Sequence, residues 1–259
     1  MDLQKAKLSQ NTYEPEKGPP AGWNNISGDA SALDKYGLKP TDLKFGTQRY
    51  EPDPAVFGPD AKPVVAFRGT RMTETEDWEN NFQQGVGMHS DYCENAVGIG
   101  NAVGKSGAAV DFTGHSLGGG TAAAASRASG QPATTFNAAG LRDGTVAKYG
   151  GTVHVPSTEN IDAYRISGDV LTGAQEQNVG GTVGAVAIGG RVAGAPGAVV
   201  GGLGKVGLAA AMPVAVGVPH SLPGAGSPIA RNGIDQSVSA LKNATAESLQ
   251  KMNSALPGN

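Results

Sequence analysis

The chain has 259 residues, enough for one large α/β domain or for one domain with an extension. Its formal net charge of -3 points away from a nucleic-acid partner. Its single cysteine, Cys93, excludes an intramolecular disulfide and reads as a small buried apolar residue.

The first eighteen residues, MDLQKAKLSQNTYEPEKG, lack the apolar segment of a secretory signal peptide. The chain is therefore expected to stay in the producing cell or to leave by a route that reads no such signal. Residues 1–28 are polar and carry Pro15, Pro19 and Pro20, so they are expected to lie over the surface with Trp23 as an anchor. Ala30 to Tyr36 fits a short helix. Residues 45–50 and 55–57, split by Pro52 and Pro54, read as short hairpin strands. Val64 to Phe67 is a continuous apolar run, the pattern of a strand covered on both faces. It ends in Arg68-Gly69-Thr70, where a glycine lets backbone approach a ligand at a strand's carboxyl end. Acidic residues and a capping threonine predict a helix over 75–82, and a second helix follows from about Asp91 to Val103.

Residues 108–126, AAVDFTGHSLGGGTAAAAS, organise the rest of the chain. An apolar run from Ala108 to Thr113 reads as a buried strand, and the small residues from Thr121 on read as a helix. Between them lies Gly114-His115-Ser116-Leu117-Gly118. A strand that turns sharply into a helix lifts the serine Oγ clear of the sheet, and glycines on both sides leave room for the turn. The helix N-terminus then lies behind the serine, with N–H groups available to a developing oxyanion. Further strands are expected over 133–137 and 160–166, the second followed by Ser167-Gly168-Asp169-Val170. The β-α alternation from 64 to 170 implies an α/β fold, a mostly parallel sheet with helices on both faces.

Ser116 needs a base, and the base needs a group that orients it. In nucleophile elbows of the α/β-hydrolase kind the order is serine, acid, histidine. Asp169 follows a strand in Gly-Asp-Val, and His220 follows it in Val218-Pro219-His220-Ser221, read as a loop. Asp162 competes as the acid, and His154 serves as base only if the order is set aside. His115 reads as a packed elbow residue. For the oxyanion, the donors expected are the N–H of Leu117 and Thr70, after the Val64–Phe67 strand.

Val64-Val65-Ala66-Phe67-Arg68-Gly69-Thr70, the following Asp77-Trp78, Met88-His89 ahead of a helix, Gly114-His115-Ser116-Leu117-Gly118-Gly119 and Gly-Asp-Val near 169 together resemble the class 3 (fungal-type) lipases of the α/β-hydrolase fold. The resemblance covers roughly residues 45–172 and the His220 segment. It implies that Thr70 supplies the first oxyanion donor and that His89 is structural. His89-Ser90-Asp91-Tyr92 departs from the family's His-x-Gly-Phe. The Gly/Ala insert and Pro19-Pro20-Ala21-Gly22-Trp23 look like bacterial lipase effectors delivered by contact-dependent secretion into rival cells.

The expected chemistry is that of a serine lipase or phospholipase that needs no metal or organic cofactor. Ser116 attacks the ester, His220 carries the proton, Asp169 orients His220, and Thr70 with Leu117 holds the oxyanion. A lipid substrate, a membrane surface and a cognate immunity protein are the expected partners. The other readings are a short-chain esterase and a membrane-inserting protein whose glycine-rich hairpin is the active element. The organisation reads as an N-terminal extension (1–44), a hydrolase core (45–178), a Gly/Ala-rich lid or membrane-docking hairpin (179–216), and a His segment with an amphipathic C-terminal helix over about 234–254 (217–259). Glycine weakens an isolated helix by about 1 kcal/mol relative to alanine, so the insert needs close packing or lipid to hold its form. Replacing residues 181–212 by a short Gly/Ser linker is expected to preserve hydrolysis of a soluble short-chain ester and to reduce binding and hydrolysis of phospholipid vesicles sharply. Parallel assays on the two substrates check this, and equal loss on both would make the stretch core structure.

Overall fold

The computed structural model describes residues 1–70, 89–154, 158–169, 171, 213–227, 230, 231 and 233–255. The helix expected over 75–82 and residues 179–212 of the Gly/Ala stretch lie outside the described residues. In chain order the main elements are α1 (Asp2–Asn11), β1 (Trp23–Asn25), α2 (Ala30–Asp34), β2 (Gln48–Pro52), α3 (Pro54–Phe57), β3 (Val64–Phe67), α4 (His89–Ser106), β4 (Asp111–His115), α5 (Leu117–Ser129), β5 (Ala133–Phe136), α6 (Thr145–Lys148), β6 (Ile161–Ile166), β7 (Val218–Leu222) and α7 (Ile234–Ala255). Two differences from the sequence reading are local. Residues 54–57 form a helical turn rather than a strand, because Pro54 fits the first helical position and Asp53 caps the Ala55 N–H. The nucleophile strand starts at Asp111, because Gly107 has positive φ and turns the chain before it.

The seven strands form one sheet in sequential order, β1 to β7. β1, β2 and β3 pair antiparallel, and β3 to β7 pair parallel. The parallel steps from β3 to β6 move in the same direction across the sheet, so right-handed crossovers put the helices α4, α5 and α6 on one face. Val65, Phe67 and Phe112 accordingly share a core with Ala96, Val97 and Ile99 of α4, with Ala122 to Ala125 of α5 and with Val146 of α6. Cys93 is buried in α4, and burial pushes its thiol up to about 12. β7 contains Pro219 and, among the described residues, pairs only with β6, an edge position that tolerates the missing N–H.

Among the described residues, the two ends of the chain cover the opposite face. Ala6 of α1 joins Ile234, Ala240 and Leu241 of α7 over Phe136, Ile166 and Leu222, while Leu8 packs with Trp23, Tyr50, Val64 and Ala66. Residues 1–28 are thus a helix and a strand of the domain rather than a surface covering, although Trp23 is buried as expected. The helix escapes a hydrophobic pattern because its buried stripe includes Lys5, Ser9 and Asn11.

Those polar residues answer polar residues of β4. Lys5 Nζ lies 2.7 Å from Asp111 Oδ2, Ser9 Oγ lies 3.0 Å from Thr113 Oγ1, and Tyr13 OH, just past the helix end, lies 2.8 Å from His115 Nδ1. Four helical residues advance about 6 Å and two strand residues about 6.6 Å, so one turn of α1 matches one same-face step of β4. Helix and strand therefore run side by side in register. Lys5→Met is expected to cost about 3 kcal/mol in urea unfolding, because the largely buried Asp111 carboxylate is left with Lys62 at 4.0 Å as its remaining ion-pair partner. Unchanged stability would show that the pair does not hold α1 to the sheet.

Candidate active site

β4 ends at His115 and α5 begins at Leu117, which leaves Ser116 to make the whole turn. Its backbone is forced to φ 56 and ψ -124, a conformation that costs a residue with a side chain about 1–3 kcal/mol. Backbone hydrogen bonds hold it there. The Ser116 N–H donates to Phe136 O at 3.0 Å, and its carbonyl accepts from the N–H groups of Gly119, Gly120 and Ala139 at 3.0, 3.3 and 2.9 Å. The flanking glycines permit the approach. A Cβ at Gly114 would fall 2.1 Å from Gly118 O, and one at Gly118 would fall 2.2 Å from Phe67 O.

Ser116 is the one residue from Val110 to Ser129 that is not buried. Its hydroxyl does not cap α5, and among the described residues it makes no hydrogen bond. Oγ is thus presented at the end of the sheet, with the amino end of α5 behind it. Leu117, buried, is the first helical residue, so its N–H is one of those at the amino end of α5 with no partner inside the helix. The end of β3 closes the other side. A Cβ at Gly69 would lie 3.4 Å from Ser116 Cβ, and partly exposed Thr70 is the next residue.

Asp169 is buried just past the end of β6. Its N–H donates to Ile166 O at 3.1 Å and its Oδ1 accepts the Leu171 N–H at 2.9 Å, an aspartate turn. His220 lies within β7 rather than in a loop, in register with Tyr164 and stacked on its ring at 4.7 Å. Its Nε2 is 2.8 Å from Asp162 Oδ1. β7 stands three strands from β4, which separates His220 from Ser116 by about 14 Å. Among the described residues, the structure therefore brings His220 to Asp162 and does not join it to Asp169 or Ser116. The His154 N–H bonds Arg127 O, near the far end of α5 from the serine.

Two residues near the site carried no signal in the pattern of the chain. Asn137, at φ 41, follows β5; its N–H donates to Tyr164 O, its Oδ1 accepts the Ile166 N–H at 2.8 Å, and its Nδ2 donates to Arg231 O at 3.0 Å. It ties the strand next to the elbow to the turn that carries Asp169. Asparagine directly after a strand is the one cue to such a backbone, because it tolerates positive φ. Tyr13 is the other, bonded to His115 within the elbow.

The Tle-like phospholipase domain matches residues 4–228, most of the chain. The chain belongs to the Tle-like phospholipase family. It is also similar to the extracellular phospholipase A1 of Serratia liquefaciens, at 33% identity over 183 residues, covering 68% of this chain and 54% of the relative. The chain thus spans about half the length of that curated relative. The family is one of ester hydrolases, and a lipid is its kind of substrate. The elbow at Ser116 lies within the matched residues. Gly118→Ala is expected to abolish hydrolysis and lower the yield of folded protein, since its methyl overlaps the Phe67 carbonyl. Activity assays on the soluble fraction check it, and wild-type turnover would mean the elbow has more room than this geometry allows.

Proposed function

We propose that the chain is a serine-dependent phospholipase of the class 3 lipase kind that cleaves a carboxylic ester of a membrane lipid through an acyl-enzyme. The observation that carries the reading is Ser116, with its backbone at positive φ, its hydroxyl making no hydrogen bond among the described residues, and the start of α5 behind it. Oγ adds to the ester carbonyl carbon as its proton passes to the base. The bond to the alcohol breaks as the base returns that proton to the leaving oxygen. Water then attacks the acyl-enzyme, releasing the fatty acid and restoring the serine. Leu117 N–H and the backbone at Thr70 take up the oxyanion charge. The phospholipase A1 name of the Serratia relative supports phospholipid over soluble short-chain esters.

Chain order supports His220 as the base and Asp169 as the acid. The 2.8 Å contact favours a second reading in which Asp162 is the acid. We further propose action at a lipid surface outside the producing cell, export by a specialised secretion system and control by a cognate immunity protein. The extracellular name of the relative supports the first of these. Among the described residues no helix is long and apolar enough to cross a membrane.

Ser116→Ala is expected to leave the fold intact and lower ester hydrolysis by about 10⁴ to 10⁶, with loss of fluorophosphonate labelling. Retained activity would end the serine reading. His220→Ala should be nearly as inactive, and Asp169→Asn should lose far more activity than Asp162→Asn. The reverse ranking of the two aspartates would transfer the acid's role to Asp162.

A further inference from the structure

Tyr13 touches both strand ends that meet at the nucleophile. Its hydroxyl oxygen accepts the Gly69 N–H at 3.1 Å, after β3, and lies 2.8 Å from His115 Nδ1, the last residue of β4. The hydroxyl and Nδ1 share one hydrogen bond, whose donor is set by the imidazole tautomer. The two rings meet edge to face, with centroids 5.8 Å apart and planes at 66°. Burial raises the phenol's pKa far above the ordinary value, against smaller lowering effects of the Gly69 bond and Arg68. Burial thus favours the neutral phenol.

Gly69 is wedged between this hydroxyl and the elbow. A Cβ there would meet Tyr13 OH at 2.4 Å and His115 O at 2.6 Å, with Ser116 Cβ at 3.4 Å. The next N–H along the chain belongs to Thr70, and its direction follows from the Gly69 backbone torsions. We infer that Tyr13 is a positioning residue for the oxyanion site: it pins the Arg68-Gly69-Thr70 backbone against Ser116 and locks His115 under the turn. The N-terminal segment thereby becomes part of the catalytic apparatus, delivered along β4 by the pairs Lys5–Asp111 and Ser9–Thr113. This inference rests on Ser116 as the nucleophile.

The test uses the full chain and a soluble short-chain ester. Tyr13→Phe keeps the ring and removes the hydroxyl. It is expected to lower kcat about tenfold to a hundredfold with KM changed less than about twofold, the pattern of a lost transition-state contact. Fluorophosphonate labelling of Ser116 should slow in parallel. A folded Tyr13→Phe with wild-type kcat, or with a loss confined to KM, overturns the inference. Should that variant not fold, fluorotyrosine placed at position 13 keeps the ring and the hydroxyl while weakening the oxygen as an acceptor of the Gly69 N–H. It should lower kcat severalfold with KM changed less than about twofold, and an unchanged kcat overturns the inference. An active Ser116→Ala would defeat the nucleophile reading itself. An inactive Ser116→Ala beside a fully active Tyr13→Phe would defeat the positioning role alone.

Discussion

Everything at this site depends on one residue being kept in a backbone conformation that it would leave if released. Ser116 has positive φ because β4 must become α5 within a single residue. The four backbone hydrogen bonds at its N–H and carbonyl come from β5, from the first turn of α5 and from the chain after Asn137. The carbonyl of Phe67 and the backbone of Gly114 sit so close to α5 that the elbow works as a backbone-to-backbone contact with no side chain between. The cost of the strained serine is distributed over a rigid junction of three parallel strands, the arrangement by which strain persists at a reactive centre.

The reverse side of that junction is polar. Asp111, Thr113 and His115 point away from the α4–α5 core, and a strand with such a face cannot be covered by an ordinary apolar helix without leaving buried groups unsatisfied. α1 solves this with Lys5 and Ser9 and with Tyr13 beyond its end, one partner for each. The match of helical pitch to strand spacing lets three separate polar contacts form at once. In the same geometry the apolar residues Ala6 and Leu8 fill the spaces to either side of the strand.

The core of this arrangement was legible from residues that obey simple periodicities. Val64 to Phe67, Ala133 to Phe136 and Ile161 to Ile166 are strands where their apolar or alternating runs place them. The strand–Gly-x-Ser-x-Gly–helix pattern gave the elbow, because steric room at a sharp turn is a local property of sequence. Phe45 to Tyr50 and the later piece at 55–57 were less readable, since Pro54 favours a helical turn as readily as it breaks a strand. α1 was illegible for the opposite reason: its buried face is hydrogen-bonded rather than apolar, and a polar helix reads as surface until its partners are known. His220 illustrates a third limit. Its place after Asp169 in the chain was evident, but its seat within β7, against Tyr164 and Asp162, depends on sheet register that no local pattern encodes.

The order in which contacts can form gives α1 a further consequence. Tyr13 and His115 are 102 residues apart, and Ser9 and Thr113 are 104 apart. Gln10 of α1 also hydrogen-bonds Asp235 of α7, 225 residues away. Contacts this remote carry a large loop-closure entropy and form late, after the local strand–helix units have condensed. A nascent chain can therefore build β3 to β5 and the elbow while its first helix still waits for α7, its neighbour on the sheet. The underside of the Ser116 turn is thus completed from the two ends of the polypeptide inward, after the turn itself has formed.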